Sequence, residues 1–355
     1  VGLSFHTFQA MSYTIEVYRG HQAAERHFGI YSLYVMFYPQ LVAGPIERPQ
    51  NLLHQFREKH SWDAQRVYEG LRQMLWGLFK NVVIADRLSI YVNDVYGDPG
   101  SWPGANIGLA TVFFAIQIYC DFSGYSDIAI GSAKVMGFKL MTNFNRPYFA
   151  KNIQEFWKRW HISLSTWFRD YLYISLGGNR VGKFRRYLNV AIVFVVSGFW
   201  HGANWTFLIW GAAHAIMIVL YMLYKEHNLV KARSSWITDA LSMLTTFAVV
   251  CIAWVFFRAE SASQAFYMIG KMLTISEWQH FSLNGGTHVI NFGMLSMALS
   301  LLAIGILLIW DKFQNVQQTA LNKRPIADVL SNAMLLYAII SFGVFDKTSF
   351  IYFQF

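Results

Sequence analysis

Long apolar runs with few charges, joined by short polar segments, organise this chain. The clearest are Asn106 to Tyr119, Tyr187 to Trp200, Trp205 to Tyr224, Trp236 to Phe257, His288 to Trp310 and Ala327 to Phe345. Runs of this length and apolarity are the signature of membrane-spanning helices. Two further runs are weaker. Phe28 to Val42 is short and is followed by Gly44-Pro45, while Leu71 to Val92 carries Arg72, Lys80, Asp86 and Arg87, whose charges must face protein, water or a headgroup layer. Trp200, Trp205, Tyr224, Trp236 and Trp310 sit at run ends, where interfacial aromatic belts form. The pattern predicts roughly seven to nine membrane segments. The expected fold is all-α: a polytopic transmembrane helical bundle with additional interfacial or re-entrant helices around a central funnel, in one domain over residues 1–355.

Two stretches break the pattern. As helix, the run from Tyr187 to Trp200 is only about 21 Å long, against about 30 Å of hydrocarbon. The turn at His201-Gly202-Ala203-Asn204 is therefore expected within the membrane depth, where a polar turn survives only against protein or a water-filled cavity. Tyr148 to Tyr173 mixes aromatics with Lys151, Glu155, Lys158, Arg159, His161, Arg169 and Asp170. It is too charged to span lipid, and an amphipathic helix at the interface or buried among others fits it. The loops Gly177 to Arg186, Lys225 to Ser235 and Asp311 to Pro325 are basic and the intervening links are less so. Alternation then puts the basic loops in the cytoplasm and His201 toward the outside.

Composition supports the membrane reading. Hydrophobic residues make up 55% of the chain and charged residues 14%, with mean hydropathy +0.30; soluble domains carry about 25% charged residues. The net charge is +9 and the isoelectric point about 9.4. The basic residues cluster between apolar runs, as at Arg180, Lys183, Arg185 and Arg186, which fits cytoplasmic loops and membrane lipids rather than nucleic acid. That loop can meet lipid phosphates or a cofactor phosphate, though topology alone explains it. Cys120 and Cys251 are expected to be buried free thiols. The chain opens on Val1 with no leader pattern, so a truncated N-terminus is expected.

The motifs of soluble hydrolases, kinases and metalloenzymes are missing: no HExxH, no paired CxxC, no phosphate loop and no GxSxG elbow. No metal site is expected. What remains are ionisable residues at membrane depth, which are functional candidates because burial is costly. His201 ends one apolar run and precedes another, with Gly198 and Gly202 around it. It reads equally as a general base or as a hydrogen-bonded core histidine at a helix break. On one helix, Trp157, His161 and Ser165 share a face by i, i+4 spacing, able to orient a ligand, although an aromatic interface stripe explains them more simply. His214 reads as an interhelical hydrogen-bonder. Asp121 and Asp127 are six apart, not on one helical face, and Asp121 or Ser123 reads as a helix N-cap. Glu155 and Arg159 are spaced to pair. Arg169 and Asp170 suit an anionic or sugar group, or each other's neighbours.

Three blocks resemble the membrane-bound O-acyltransferase superfamily, in its bacterial alginate O-acetyltransferase-type branch. The first is Phe37 to Ile46, reading FYPQLVAGPI. The second runs from DFSGYSD at Asp121 through NFNRPY at Asn143 to EFWKRWHISLSTW at Glu155 and RDYLY at Arg169. The third is SGFWHGANW, Ser197 to Trp205. The ending, Phe350 to Phe355, is also similar. The resemblance implies that His201 is the catalytic histidine and that His161 shapes or orients the site. It implies acetyl-CoA as donor with no permanently bound cofactor, a polysaccharide acceptor, periplasmic acetylation partners, and a multi-pass location in the bacterial inner membrane. Family chains carry further N-terminal helices before the region near Leu3.

On this resemblance the chain is expected to move an acetyl group from a cytoplasmic thioester to hydroxyls of an exported, alginate-like polysaccharide. His201 then acts as base, with Asn204, His161 or a backbone amide near Gly202 supplying the oxyanion donor. Asn204, Trp157, Ser165, Arg169 and Asp170 are the expected substrate-binding residues. The alternatives are an acetyl relay to a periplasmic transferase, peptidoglycan O-acetylation, or a non-enzymatic scaffold or channel.

Overall fold

The apolar runs are helices, and among the described residues no strand forms. The computed structural model describes residues 2–41, 43–227, 235–281, 293–321 and 325–345. In chain order the helices are α1 (Gly2–Tyr18), α2 (Phe28–Met36), α3 (Pro49–Leu52), α4 (Ala64–Leu78), α5 (Asp86–Gly97), α6 (Gly104–Met136) and α7 (Ile153–Arg159). They continue with α8 (Ile162–Phe168), α9 (Lys183–His201), α10 (Trp205–Glu226), α11 (Trp236–Arg258), α12 (Ala262–Leu273), α13 (Met294–Leu321) and α14 (Pro325–Phe342). Among the described residues, four stretches are long and apolar enough to cross a membrane: α6, α10, α11 and Met294–Phe313 within α13. The chain is an integral membrane protein. The start of the expected run from His288, and the ending Phe350 to Phe355, lie outside the described residues.

The chain packs as two compact units. One comprises the chain up to Asp86, Ile118–Phe144 and the chain from Ile306; the other comprises Arg87–Gln117 and Asn145–Gly305. In the first, α4 and α6 meet backbone to backbone through glycines seven residues apart on each helix. A methyl group on Gly70 would sit 2.7 Å from the Gly131 carbonyl oxygen, and one on Gly77 would sit 2.6 Å from that of Gly124. Such contact brings helices close where lipid supplies no hydrophobic drive.

Several local expectations change here. Asp121 and Ser123 are not caps, because α6 runs unbroken through them to Met136. The run from Leu71 to Val92 is α4, a π-helical segment Phe79–Ala85, and α5 in direct succession. The π segment buries Lys80, which ion-pairs with Asp127 and donates to Ser123 Oγ at 2.8 Å. That pairing lets both charges stay inside the bundle. Nearby in the same unit, Tyr119 donates to Asp311 at 2.6 Å and Arg72 pairs with Asp328 at 2.9 Å.

Between α2 and α4 the chain folds over Tyr34, Phe37, Leu52, Leu53 and Ala133, a buried apolar cluster. Gln55 clamps the 137–147 loop, donating to the Lys139 carbonyl at 3.0 Å and accepting from its N–H at 2.8 Å. Glu47 accepts from the Met141 N–H, and burial pushes its carboxyl up to about 7. The folded-state pKa is thus raised above the unfolded value of 4.5. Between those pH values the folded state holds a proton that the unfolded state has lost, so stability falls as pH rises through the window. A shift of that size corresponds to about 3 kcal/mol lost by pH 8. Glu47→Gln keeps the carbonyl acceptor for Met141 and removes the charge. Its thermal midpoint in detergent should exceed the wild type's at pH 8 and match it at pH 4.5. Equal midpoints at both pH values would mean that Glu47 is charged at no cost.

Candidate active site

The second unit is built around an antiparallel helix pair, α9 and α10, joined by three residues. The helix α9 begins with Lys183, Arg185 and Arg186 in its first turn and ends at His201. Asn204 caps α10, its side-chain oxygen accepting from Thr206 N–H at 3.2 Å. Gly198 and Gly211 face each other across the pair: a methyl on Gly198 would lie 3.4 Å from the Gly211 Cα and would collide with the Phe207 carbonyl. Gly202 is equally confined, since a methyl there would sit 2.6 Å from the Phe207 ring. The close approach fixes the tip on which His201 stands.

His201 is half-buried in rings. Its imidazole centroid lies 4.8 Å from Trp200, 5.1 Å from Trp210 on α10 and 5.0 Å from Phe257 on α11. Both of the last two contacts are edge-on, at 87° and 75°. The ring side of the imidazole is therefore apolar, where charge is less screened than in water.

His161 does not sit on a helix face with Trp157 and Ser165, as the i, i+4 spacing suggested. The helix breaks there: α7 ends at Arg159, α8 starts at Ile162, and His161 takes the left-handed conformation at φ 42°, ψ 55°. A non-glycine residue held there carries strain, which persists where surrounding packing over-determines it. The packing is visible. Asn152 caps α7 by accepting from Glu155 N–H at 2.9 Å, and Glu155 pairs with Arg159 at 2.5 Å. Asn145 N–H donates to the Arg159 carbonyl at 2.9 Å, closing the segment into a loop. The break turns His161 inward, 1% exposed. Burial first, and a nearby His201 charge second, hold its imidazole well below the usual range. The two histidines are thus electrostatic neighbours, and His161 stays neutral.

Trp157 and Ser165 meet again at a cavity of about 340 Å³, also lined by Lys158, Arg169 and Ser197. Its wall is mainly apolar, with Lys158 and Arg169 as its charged members. Ser197 lies one helical turn before His201 on α9, so a residue of the cavity wall shares a helix face with that imidazole. Arg169 pairs with Asp170 at 2.7 Å, and its side chain is mostly exposed. Trp157 also donates its indole N–H to His214 Nδ1 at 3.2 Å, the interhelical bond expected of His214. Of the residues singled out in sequence, the structure joins Trp157, Ser165 and Arg169 around one cavity and sets His161 within electrostatic reach of His201. Asn204 is exposed and engaged as a cap. The residues that sequence reasoning passed over are Trp210, Trp254 and Phe257. Their signal was faint: Trp210 and His214 are i, i+4 on α10, and Trp254 and Phe257 are i, i+3 on α11.

An imidazole thus stands among rings at the tip of a glycine-locked helix pair in an integral membrane protein. A sequence model of the membrane-bound O-acyltransferase family matches residues 11–260, and the chain belongs to that family. It is 35% identical to a probable alginate O-acetylase of Pseudomonas putida, over 100% of this chain and 75% of that protein. Its identity to a probable alginate O-acetylase of Pseudomonas aeruginosa is 40%, over 85% of this chain and 57% of the other. With a peptidoglycan O-acetyltransferase of Helicobacter pylori it shares 36%, over 78% of this chain and 57% of the other. The chain thus spans little more than half the length of the last two relatives.

Proposed function

We propose that this protein is an O-acetyltransferase of a bacterial inner membrane, moving acetyl from acetyl-CoA to hydroxyls of an exported polysaccharide. The observation that carries the reading is the half-buried His201, next to a neutral His161 and one turn from a cavity of thioester-compatible apolarity. The relatives named as alginate O-acetylases support an alginate-like acceptor.

In the proposed reaction the acceptor oxygen attacks the thioester carbonyl carbon while His201 takes the hydroxyl proton. The carbonyl π pair moves to oxygen. Collapse of that oxyanion expels the thiolate, which receives the proton from His201, leaving ester and free thiol. Lys158 and Arg169, at the cavity wall, suit the phosphates of the donor. The dry, ring-walled site limits hydrolysis of the thioester. Periplasmic partner proteins would complete delivery to the polymer.

The Helicobacter pylori relative supports a second reading, in which the acceptor is peptidoglycan. Membrane vesicles carrying the protein, supplied with radiolabelled acetyl-CoA on the cytoplasmic side, test both. Label on the exported polysaccharide supports the main reading, and label on muropeptides supports the second. Label held on protein until a periplasmic fraction is added identifies a relay. No thioester consumption above vesicles lacking the protein would overturn all three.

A further inference from the structure

Near His201 the second unit buries hydrogen-bond donors that find no acceptor among the described residues. Trp157 donates to His214 Nδ1 at 3.2 Å. An indole nitrogen only donates, so neutral His214 must carry its proton on Nε2. That Nε2 is buried and finds no partner among the described residues; neither does the indole nitrogen of Trp210, nor that of Trp254. All three side chains are at most 1% exposed. They share one aromatic box. The Trp210 ring lies 4.9 Å from His214 and 5.9 Å from Trp254, which is 6.5 Å from His214. Trp210 also meets His201 edge-on at 5.1 Å.

Buried polar groups are almost always partnered, and one that is not needs a reason. Three donors and no acceptor in one box, with Trp210 against His201, suit an oxygen that gains negative charge. Of the donors foreseen from sequence, the Gly202 N–H already donates to the Phe199 carbonyl at 3.2 Å, and Asn204 is exposed, its side-chain oxygen held as the cap of α10. We propose that the Trp210 indole N–H, backed by His214 Nε2–H and Trp254, receives the thioester carbonyl oxygen as it becomes the oxyanion. This rests on the acyl-transfer reading above. When the acceptor oxygen bonds to the carbonyl carbon, the displaced π pair settles on the oxygen facing Trp210. It returns to re-form the carbonyl as the thiolate leaves, and the proton held by His201 passes to that thiolate. Trp210 changes no protonation state. It acts by lying ready before the charge forms, which makes it catalytic. His214 acts through the Trp157 bond that fixes its tautomer.

The test is acetyl-CoA turnover by the full chain in vesicles, for Trp210→Phe and for a variant carrying benzothienylalanine at 210. The second has the shape of tryptophan with sulfur in place of N–H. Both should lose about 100-fold in kcat, as removal of an oxyanion donor does, with KM for acetyl-CoA held within roughly threefold. The pH profile should keep the wild-type shape because His201 is intact. Wild-type kcat in the benzothienylalanine variant overturns the assignment, even if Trp210→Phe misfolds and shows nothing. A His201→Ala arm separates the two claims. If His201→Ala is inactive and the benzothienylalanine variant is fully active, only the donor assignment fails; if His201→Ala is active, the assignment of His201 as base fails; if the wild type consumes no acetyl-CoA above vesicles lacking the protein, the acyl-transfer reading itself fails.

Discussion

Replacing His201 with alanine is expected to remove polymer-bound O-acetyl while leaving the protein at normal abundance in the membrane. A positioned general base contributes about 10²- to 10⁴-fold, so residual transfer should be at or below detection in cells. The variant should still fold, because His201 is the last residue of α9 and half-exposed. The α9–α10 pair is held instead by the Gly198 and Gly211 contact and by the ring stack behind it. His161 serves as the contrast. Its strained left-handed backbone means that His161→Ala leaves a side chain where φ is 42°, whereas His161→Gly relieves the strain. If His161 works only through backbone geometry, the glycine variant retains transfer. If its imidazole orients the site, both variants lose it. The measurement is acetate released from isolated polymer by mild base, beside an immunoblot of the membrane fraction. Wild-type acetylation in His201→Ala would make that histidine structural and move the search for a base to His161.

The helical membrane fold was legible because apolar runs have no other home. The runs that became α9, α10 and α11 stand in the sequence within a few residues of their observed ends. What defeated local reading was pairing at long range. Asp121 or Ser123, following the apolar run that ends at Tyr119, read as a helix N-cap. The α6 helix continues through them because Lys80, 43 residues earlier, donates to Ser123 and pairs with Asp127. The helix break at His161 was invisible for a similar reason. Trp157, His161 and Ser165 keep helical spacing, and only the closure of the loop from Asn145 to Arg159 explains the left-handed turn between α7 and α8. Within the candidate site, His201 was conspicuous as an ionisable residue between two apolar runs, although the residues alone left it balanced between a base and a core histidine. Trp210 and Trp254 could not, because a tryptophan in a spanning helix is ordinary until its indole N–H proves to be buried without a partner.

Gly211→Val should be the most damaging single substitution in the second unit. The α9 and α10 backbones touch where Gly211 passes Phe194 and Val195: a methyl on Gly211 would collide with the Phe194 carbonyl oxygen and lie 3.3 Å from the Val195 Cα. Those are main-chain atoms and cannot rotate away, so the helices must separate. Overpacking of this kind costs roughly 3 kcal/mol or more. The damage then spreads along α10. Trp210 and His214 flank the contact, and they carry the stack on Trp254 at 5.9 Å and the bond from Trp157 at 3.2 Å. Separation therefore loosens the ring wall around His201 as well as the helix pair. The expected result is low membrane abundance, a lowered thermal midpoint in detergent, and loss of acetyl transfer per molecule in whatever protein remains. Gly211→Ala, with one methyl, should be milder in each respect. Gly270→Val is the control, since nothing lies within 4 Å of a methyl at that position. If Gly211→Val accumulates and turns over as the control does, the two helices do not pack through this glycine, and the tip that presents His201 must be held by other contacts.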